Sequence, residues 1–171
     1  IKKVLLVYGS ERIKKDGLFD TVANSLSENS IEFVEFGGIV SNPVLSKVYD
    51  GIEVAKANKV DAILSVGGGS VLDSSKAIAA GALYDGDVWD FFTWKTIIQK
   101  ALPIYDIITL AATGSEMNAG AVVTNETTKQ KFFIHASCLY PRVSVINPEL
   151  QKSVSKDYLG YSASHAIAHS I

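Results

Sequence analysis

The most constraining feature of this sequence is a repeated unit. A short apolar run without alternation stops at glycine or another small residue, and a segment of helical spacing follows. Residues 3–8 (Lys-Val-Leu-Leu-Val-Tyr) halt at Gly9, residues 62–66 at Gly67-Gly68-Gly69, and residues 106–110 at Ala111-Ala112-Thr113-Gly114. An uninterrupted apolar strand needs cover on both faces, which is the situation of a parallel sheet. After the first run, Leu18, Phe19, Val22, Ala23 and Leu26 recur at helical spacing. Residues 31–36 read as the next strand and end in Gly37-Gly38. Asn42-Pro43 is expected to open a second helix, with proline in its first turn, and residues 71–83 form a third. Strand, helix, strand, helix, strand, helix in order predicts an α/β domain: a parallel sheet with helices on both faces.

The second half departs from that rhythm. Residues 84–103 hold both tryptophans, Trp89 and Trp94, and read as a loop with short pieces of structure. Residues 121–124 and 131–134 flank the polar turn 125–130, which predicts a β-hairpin inserted into the pattern. A last strand spans 143–146, and a helical pattern runs from Lys156 to Ile171.

Composition excludes several classes. With 171 residues, 47 % of them hydrophobic and 20 % charged, the chain has the means to build a sizeable core. A net charge of −2 gives no electrostatic footprint for nucleic acid or anionic lipid. No apolar stretch is long enough for a transmembrane helix. The single cysteine, Cys138, rules out an internal disulfide framework, and the opening residues carry no signal-peptide pattern. A cytoplasmic protein is expected.

Two small-residue turns stand out as chemistry. Gly67-Gly68-Gly69-Ser70-Val71-Leu72-Asp73 sits at a strand-to-helix junction, where glycines allow close backbone approach and the helix N-terminus favours an anion. Ser70 is expected to cap this helix, with Asp73 closing a capping box. The pattern is neither G-x-G-x-x-G nor a Walker A loop, so phosphate cradling and a plain capped turn both remain open. Thr109, Thr113 and Ser115 end a later strand, and ligands in open α/β sheets bind outside the carboxyl ends of strands. His165 and His169 lie at i, i+4, close enough on one helix face to share a metal or to form a solvated pair.

These motifs together resemble the iron-containing (group III) alcohol dehydrogenases. The resemblance rests on Gly67-Gly68-Gly69-Ser70-x-x-Asp73-x-x-Lys76, on residues 112–118 (Ala-Thr-Gly-Ser-Glu-Met-Asn) and on residues 165–171. The butanol dehydrogenase-like branch is indicated by Lys14-Lys15-x-Gly17, Ser41-Asn42-Pro43, Val88-Trp89-Asp90 and residues 123–126. The resemblance implies a Rossmann-like dinucleotide-binding domain over residues 1–150 and the first helix of an all-helical metal-binding domain over 151–171. The family's opening strand-hairpin and most of its helical domain have no counterpart here.

Roles follow from the resemblance. Gly67, Gly68, Gly69 and Ser70 would bind the dinucleotide pyrophosphate, Asp73 would lie near the nicotinamide, and Thr109, Thr113 and Ser115 would line the cofactor cleft. Lys131 would reach a ribose hydroxyl, and Ser41 and Asn42 would shape the adenosine end. Gly37 and Gly38 stand where NAD-preferring relatives carry an acid; glycine leaves room for a 2′-phosphate, so NADP(H) is expected over NAD(H). His169 matches a family metal ligand for Fe²⁺ or Zn²⁺, whereas His165 occupies the family's aspartate position and weakens the hold on a hard ion. Two further histidines of the family come from later in its helical domain.

The implied activity is metal-dependent interconversion of a primary alcohol and its aldehyde with NAD(P)(H), in a homodimer. The rivals are a catalytically incomplete nucleotide-binding module and a dehydroquinate synthase-like non-redox member of the superfamily. One further departure is Ser10-Glu11-Arg12, where relatives are richer in glycine and where Glu11 would disfavour a phosphate unless it points away.

Overall fold

The computed structural model describes residues 1–152 and 154–170. The strands β1 (Lys3–Tyr8), β2 (Glu32–Phe36), β3 (Ala62–Gly68), β4 (Ile104–Leu110) and β7 (Val143–Ile146) form one parallel sheet in the order β2-β1-β3-β4-β7, with β1 and β3 buried and the edge strands β2 and β7 more exposed. Every pairing in this sheet is parallel. Side-chain alternation along β1 divides the core between the two faces. Leu5 and Val7 join α3 (Leu45–Asn58), α4 (Gly69–Ala82) and α5 (Trp89–Phe92), whereas Leu6 and Tyr8 meet α2 (Leu18–Glu28) through Val22 and Phe19. A single helical turn, α1 (Arg12–Lys15), precedes α2. The predicted α/β sheet with helices on both faces is therefore present.

α3 and α4 pack through reciprocal glycines. A Cβ on Gly51 would lie 2.4 Å from Ile78 Cδ1, and one on Gly81 would lie 2.2 Å from Ile52 Cδ1. Each isoleucine fills the space that the facing glycine leaves open.

The hairpin is β5 (Gly120–Asn125) with β6 (Gln130–His135), an antiparallel pair separate from the main sheet. Ala121, Val123 and Ile134 join the larger core. Trp89 stacks on Phe132 at 5.7 Å and on Phe92 at 5.1 Å, which fastens the loop after α4 to the hairpin.

The start of α3 differs from expectation. Pro43 lies outside the helix, which begins at Leu45 behind an extended Val44 (φ −112°, ψ 143°). The hairpin causes the shift: the Pro43 carbonyl accepts the Thr124 N–H at 2.8 Å, and Val44 bridges Thr124. Glu126 then caps the helix from 81 residues away, accepting the Leu45 N–H at 3.0 Å and the Ser46 N–H at 3.3 Å. The last helix is α6 (Lys156–Ser170), largely exposed; Ile171, the expected end of the helical pattern, lies outside the described residues.

Removing this distant cap in Glu126→Ala should cost about 1 kcal/mol of stability, read as a lower urea midpoint with unchanged slope. Hydrogen bonding from Ser46 heads the causes that hold the Glu126 carboxyl below its ordinary range. The difference between wild type and variant should therefore be complete at neutral pH and shrink as pH falls through that lowered range.

Candidate functional site

Strand order reverses between β1 and β3, and a crevice opens outside their carboxyl ends. There the structure forms a cleft of about 740 Å³. Gly9, Ser10 and Arg12 line it after β1, Ile39 to Ser41 after β2, Gly67 to Val71 at the β3–α4 junction, and Thr109 at the end of β4. Of the residues predicted for the cofactor, Ser41, Gly67, Gly68, Gly69, Ser70 and Thr109 thus converge on one cavity.

β3 passes into α4 with no intervening loop, Gly68 being the last strand residue and Gly69 the first helical one. The expected capping box does not form. The N-cap is Gly68, no side chain among the described residues caps the helix, and the Ser70 carbonyl accepts the Ser74 hydroxyl at 2.9 Å. Asp73 is engaged elsewhere, accepting the Ser115 hydroxyl at 2.7 Å and the Val122 N–H at 3.0 Å. The first turn of a 14-residue helix therefore faces the cleft without a side-chain cap, and its N–H groups and dipole suit an anion.

The three glycines have different reasons. A Cβ on Gly67 would meet Val71 Cγ2 at 2.5 Å, and one on Gly69 would meet Thr113 Oγ1 at 2.4 Å. Gly69 thereby lets predicted residue Thr113 rest on the helix start. At Gly68 the nearest neighbour would be Leu110 Cβ at 3.5 Å, an ordinary contact. Packing within the protein does not demand glycine there, and its φ of −92° does not either.

Behind the cleft lies Lys76, fully buried. Its ammonium donates to the carbonyls of Ser115 (2.7 Å), Asn118 (2.8 Å) and Gly120 (2.9 Å), and to Ser115 Oγ (3.0 Å) and Asn118 Oδ1 (3.1 Å). The Ser115 hydroxyl accepts from Lys76 and donates to Asp73, so predicted residues Asp73 and Ser115 meet through a lysine to which sequence reasoning gave no role. The available signal was a lysine within the otherwise small and apolar run 74–80 of a helix. Burial pushes the Lys76 ammonium down to about 8 and the Asp73 carboxyl upward.

A polar row crosses the sheet beneath it, since Ser65 pairs with Asp106 and Asp106 with Ser144. The Ser144 hydroxyl donates to Asp106 Oδ2 at 2.6 Å, while Asp106 Oδ1 and Ser65 Oγ have no hydrogen-bond partner among the described residues. Burial raises the Asp106 carboxyl from 3.8 to about 6.

The other predicted residues group apart. Lys131 donates to Asn42 Oδ1 at 3.0 Å, linking the hairpin to the segment after β2. Gly37 accommodates the Tyr8 ring, which its Cβ would approach to 2.4 Å, and Gly38 turns with φ +82° beside Lys47. Glu11 does not line the cleft. Its carboxylate lies 3.2 Å from Lys14 Nζ and accepts the Tyr8 hydroxyl at 3.2 Å, within a cluster that Glu35 completes.

His165 and His169 converge on α6, exposed, with Nε2 atoms 3.0 Å apart. Two imidazoles on one tetrahedral ion stand about 3.3 Å apart at ordinary zinc–nitrogen distances, so the pair fits part of a coordination sphere. A protein metal site takes three or four donors. Among the described residues no group of three His, Cys, Asp or Glu side chains forms one, so the sphere is not completed here.

The family model for iron-containing alcohol dehydrogenase matches residues 1–148. The chain belongs to that family. A crystal structure of NADH-dependent butanol dehydrogenase A from Thermotoga maritima superimposes with a TM-score of 0.97 at 54 % identity, over 99 % of this chain and 42 % of that one. NADH-dependent butanol dehydrogenase A of Clostridium acetobutylicum is 41 % identical over 98 % of this chain and 43 % of its own length. The NADPH-dependent aldehyde reductase YqhD of Escherichia coli is 35 % identical over 99 % of this chain and 44 % of its own. The chain thus spans less than half the length of these family members. No helix among the described residues is long and apolar enough to cross a membrane.

The Asp106 carboxyl binds its proton more tightly in the folded than in the unfolded chain, so its contribution to stability falls as pH rises from about 4 to 6. Relative to Asp106→Asn, the wild type should lose up to about 3 kcal/mol across that interval. Paired urea titrations of the two proteins at several pH values measure this difference directly.

Proposed function

We propose that this chain is the dinucleotide-binding part of a metal-dependent oxidoreductase that interconverts a primary alcohol and its aldehyde with NAD(P)(H). One observation carries the reading. An α4 N-terminus without a side-chain cap opens on a cleft at the sheet's switch point, behind a glycine that internal packing does not require. Family membership and the names of the relatives support the same class of reaction.

On this reading residues 1–150 hold the cofactor and 151–171 begin the metal-binding domain. Gly67, Gly68, Gly69 and Ser70 receive the pyrophosphate, and Ser41 and Asn42 flank the adenosine. Thr109 and Thr113 line the cofactor cleft, buried Ser115 holds Asp73 near the nicotinamide, and Lys131 is directed to a ribose hydroxyl. Bound cofactor supplies the redox chemistry and a divalent ion supplies Lewis acidity toward the alcohol oxygen. This chain's own residues bind, orient and exclude water. His169, with His165, would contribute two of the metal's donors. NADP(H) is preferred over NAD(H), because Gly37 and Gly38 offer no carboxylate after β2 and Glu35 is tied to Lys14 and Tyr8. The relatives' names include both cofactors, so this preference rests on the glycines and the engaged Glu35.

Calorimetric titration should show binding of NADPH and of NADH, with NADPH the tighter. A folded protein that binds neither would overturn the reading. Gly68→Val projects a side chain into the cleft where the protein has room for its Cβ. It should weaken both dinucleotides at least tenfold while leaving the melting temperature within a few degrees of wild type. Unchanged affinity would remove the pyrophosphate from this turn. In a protein that supplies the remaining metal donors, chelation of divalent metal should stop aldehyde-dependent oxidation of NADPH and leave its binding intact.

A further inference from the structure

Lys76 is fully buried and does not line the cleft. It lies about two turns and about 10 Å along α4 from Gly69, so it acts on a ligand only through other groups. The link is the turn 113–118. Thr113 rests on Gly69, whose Cβ would come within 2.4 Å of Thr113 Oγ1. Gly114 then reverses the chain with φ +66°, and Ser115–Met117 form a single tight helical turn. Ser115 and Asn118 bracket that turn, and each offers Lys76 both its carbonyl and its side-chain oxygen, at 2.7 to 3.1 Å. Asn118 Nδ2 donates back to the Gly114 carbonyl at 3.0 Å. The ammonium thus clamps the turn at both ends, and the turn carries Thr113 to the start of α4.

The clamp needs its charge. An ammonium has three N–H donors, which the Ser115, Asn118 and Gly120 oxygens share. A neutral amine keeps two and turns a lone pair toward carbonyl oxygens that cannot donate to it. The charged groups facing Lys76 are Asp73 on α4, Asp106 on β4 and Glu116 on the turn, and all three favour the ammonium. Lys131 of the hairpin faces Asp73 in turn. Burial outweighs the carboxylates and brings the Lys76 ammonium down to about 8, a range in which ordinary lysines stay charged.

We propose that Lys76 is a positioning residue for the dinucleotide: its ammonium holds the 113–118 turn and Thr113 against the start of α4, and the cleft loses affinity when that charge is lost. The proposal rests on the dinucleotide reading above. It makes binding of the cofactor and protonation of a buried lysine one linked equilibrium.

The test is calorimetric titration of the wild type and Lys76→Arg with NADH, whose phosphates keep one charge state from about pH 6.5 to 9.5, with a thermal melt at each pH. Wild-type affinity should hold below about pH 7 and fall at least about tenfold by pH 9.5, as the competent fraction shrinks. Lys76→Arg keeps its charge throughout and should show no such fall. The melts separate this loss from unfolding, because a lowered proton affinity makes the Lys76 contribution to stability grow as pH rises from about 8 toward the ordinary lysine range. NMR of the lysine Cε carbons follows Lys76 in the wild type, and decides alone if the larger arginine does not fold. NADH should raise the Lys76 titration midpoint by at least about one pH unit. Equal NADH affinity across the range, a midpoint that NADH leaves unmoved, or a fall that persists in folded Lys76→Arg would each overturn the proposal while leaving the dinucleotide reading intact. A folded wild type that binds neither NADH nor NADPH at neutral pH would overturn both.

Discussion

The Lys76 ammonium is the interaction on which the rest of the site depends. A buried charge costs several kcal/mol unless hydrogen bonds replace its water. Here five oxygens within 3.1 Å do so, and all of them belong to residues 115–120. The three carbonyls among them would otherwise be donor-seeking groups in an irregular turn between β4 and β5. One side chain from the middle of α4 therefore fixes the path by which the chain leaves the main sheet and enters the hairpin. Ser115 and Asp73 extend this fixation, because the same hydroxyl that accepts from Lys76 donates to a carboxylate that also accepts the β5 backbone.

That arrangement makes α4 an element with two separate tasks. Its middle is locked to α3 by the glycine–isoleucine exchanges and to the 115–120 turn by Lys76. Its first turn makes no side-chain cap and faces a cavity. An uncapped N-terminus is tolerable because the helix is held by packing along its length, so its stability does not hang on the roughly 1 kcal/mol that a cap contributes. Recruiting Asp73 to Ser115 and Val122 removes the residue that could have competed with an anion at the helix start. The same carboxylate is thus withdrawn from one place and used in another.

The parts of the fold that were legible in the sequence are those decided locally. Continuous apolar runs such as Leu5-Leu6-Val7 declare a buried strand because nothing in them needs water, and the hairpin's polar turn breaks an otherwise clear pair of strands. What was misread depended on partners far along the chain. Pro43 looked like a first-turn proline, but the Thr124 N–H draws its carbonyl into a bridge and Glu126 caps the helix two residues later. Ser70 and Asp73 have capping-box spacing, yet Ser115, 42 residues on, outcompetes that local bond. The glycine turn and the strand-end hydroxyls were legible as a site because small residues at strand ends have a local signature. Lys76 was not, since a lysine acquires its meaning only from the acceptors that the fold brings to it.

Charge then decides how the cleft and the interior differ. In the interior, Asp73, Asp106 and Glu116 surround a single ammonium, and the attraction of all three counters the desolvation that lowers its proton affinity. Three carboxylates exceed one ammonium in charge, and hydrogen bonds to Asp73 and Asp106 offset part of the excess. At the crevice itself Asp16 pairs with Arg12 and Glu149 with Lys152, beside the start of α4. Interactions across such an opening are screened over about 8–10 Å at ordinary salt, so the buried acids count for less there than the groups on the wall. On the proposed reading the affinity of the cleft for an anion is set by local features, the uncapped turn and the space at Gly68. The exposed ion pairs on the wall, each worth at most about 1 kcal/mol, leave the field at the crevice to the start of α4.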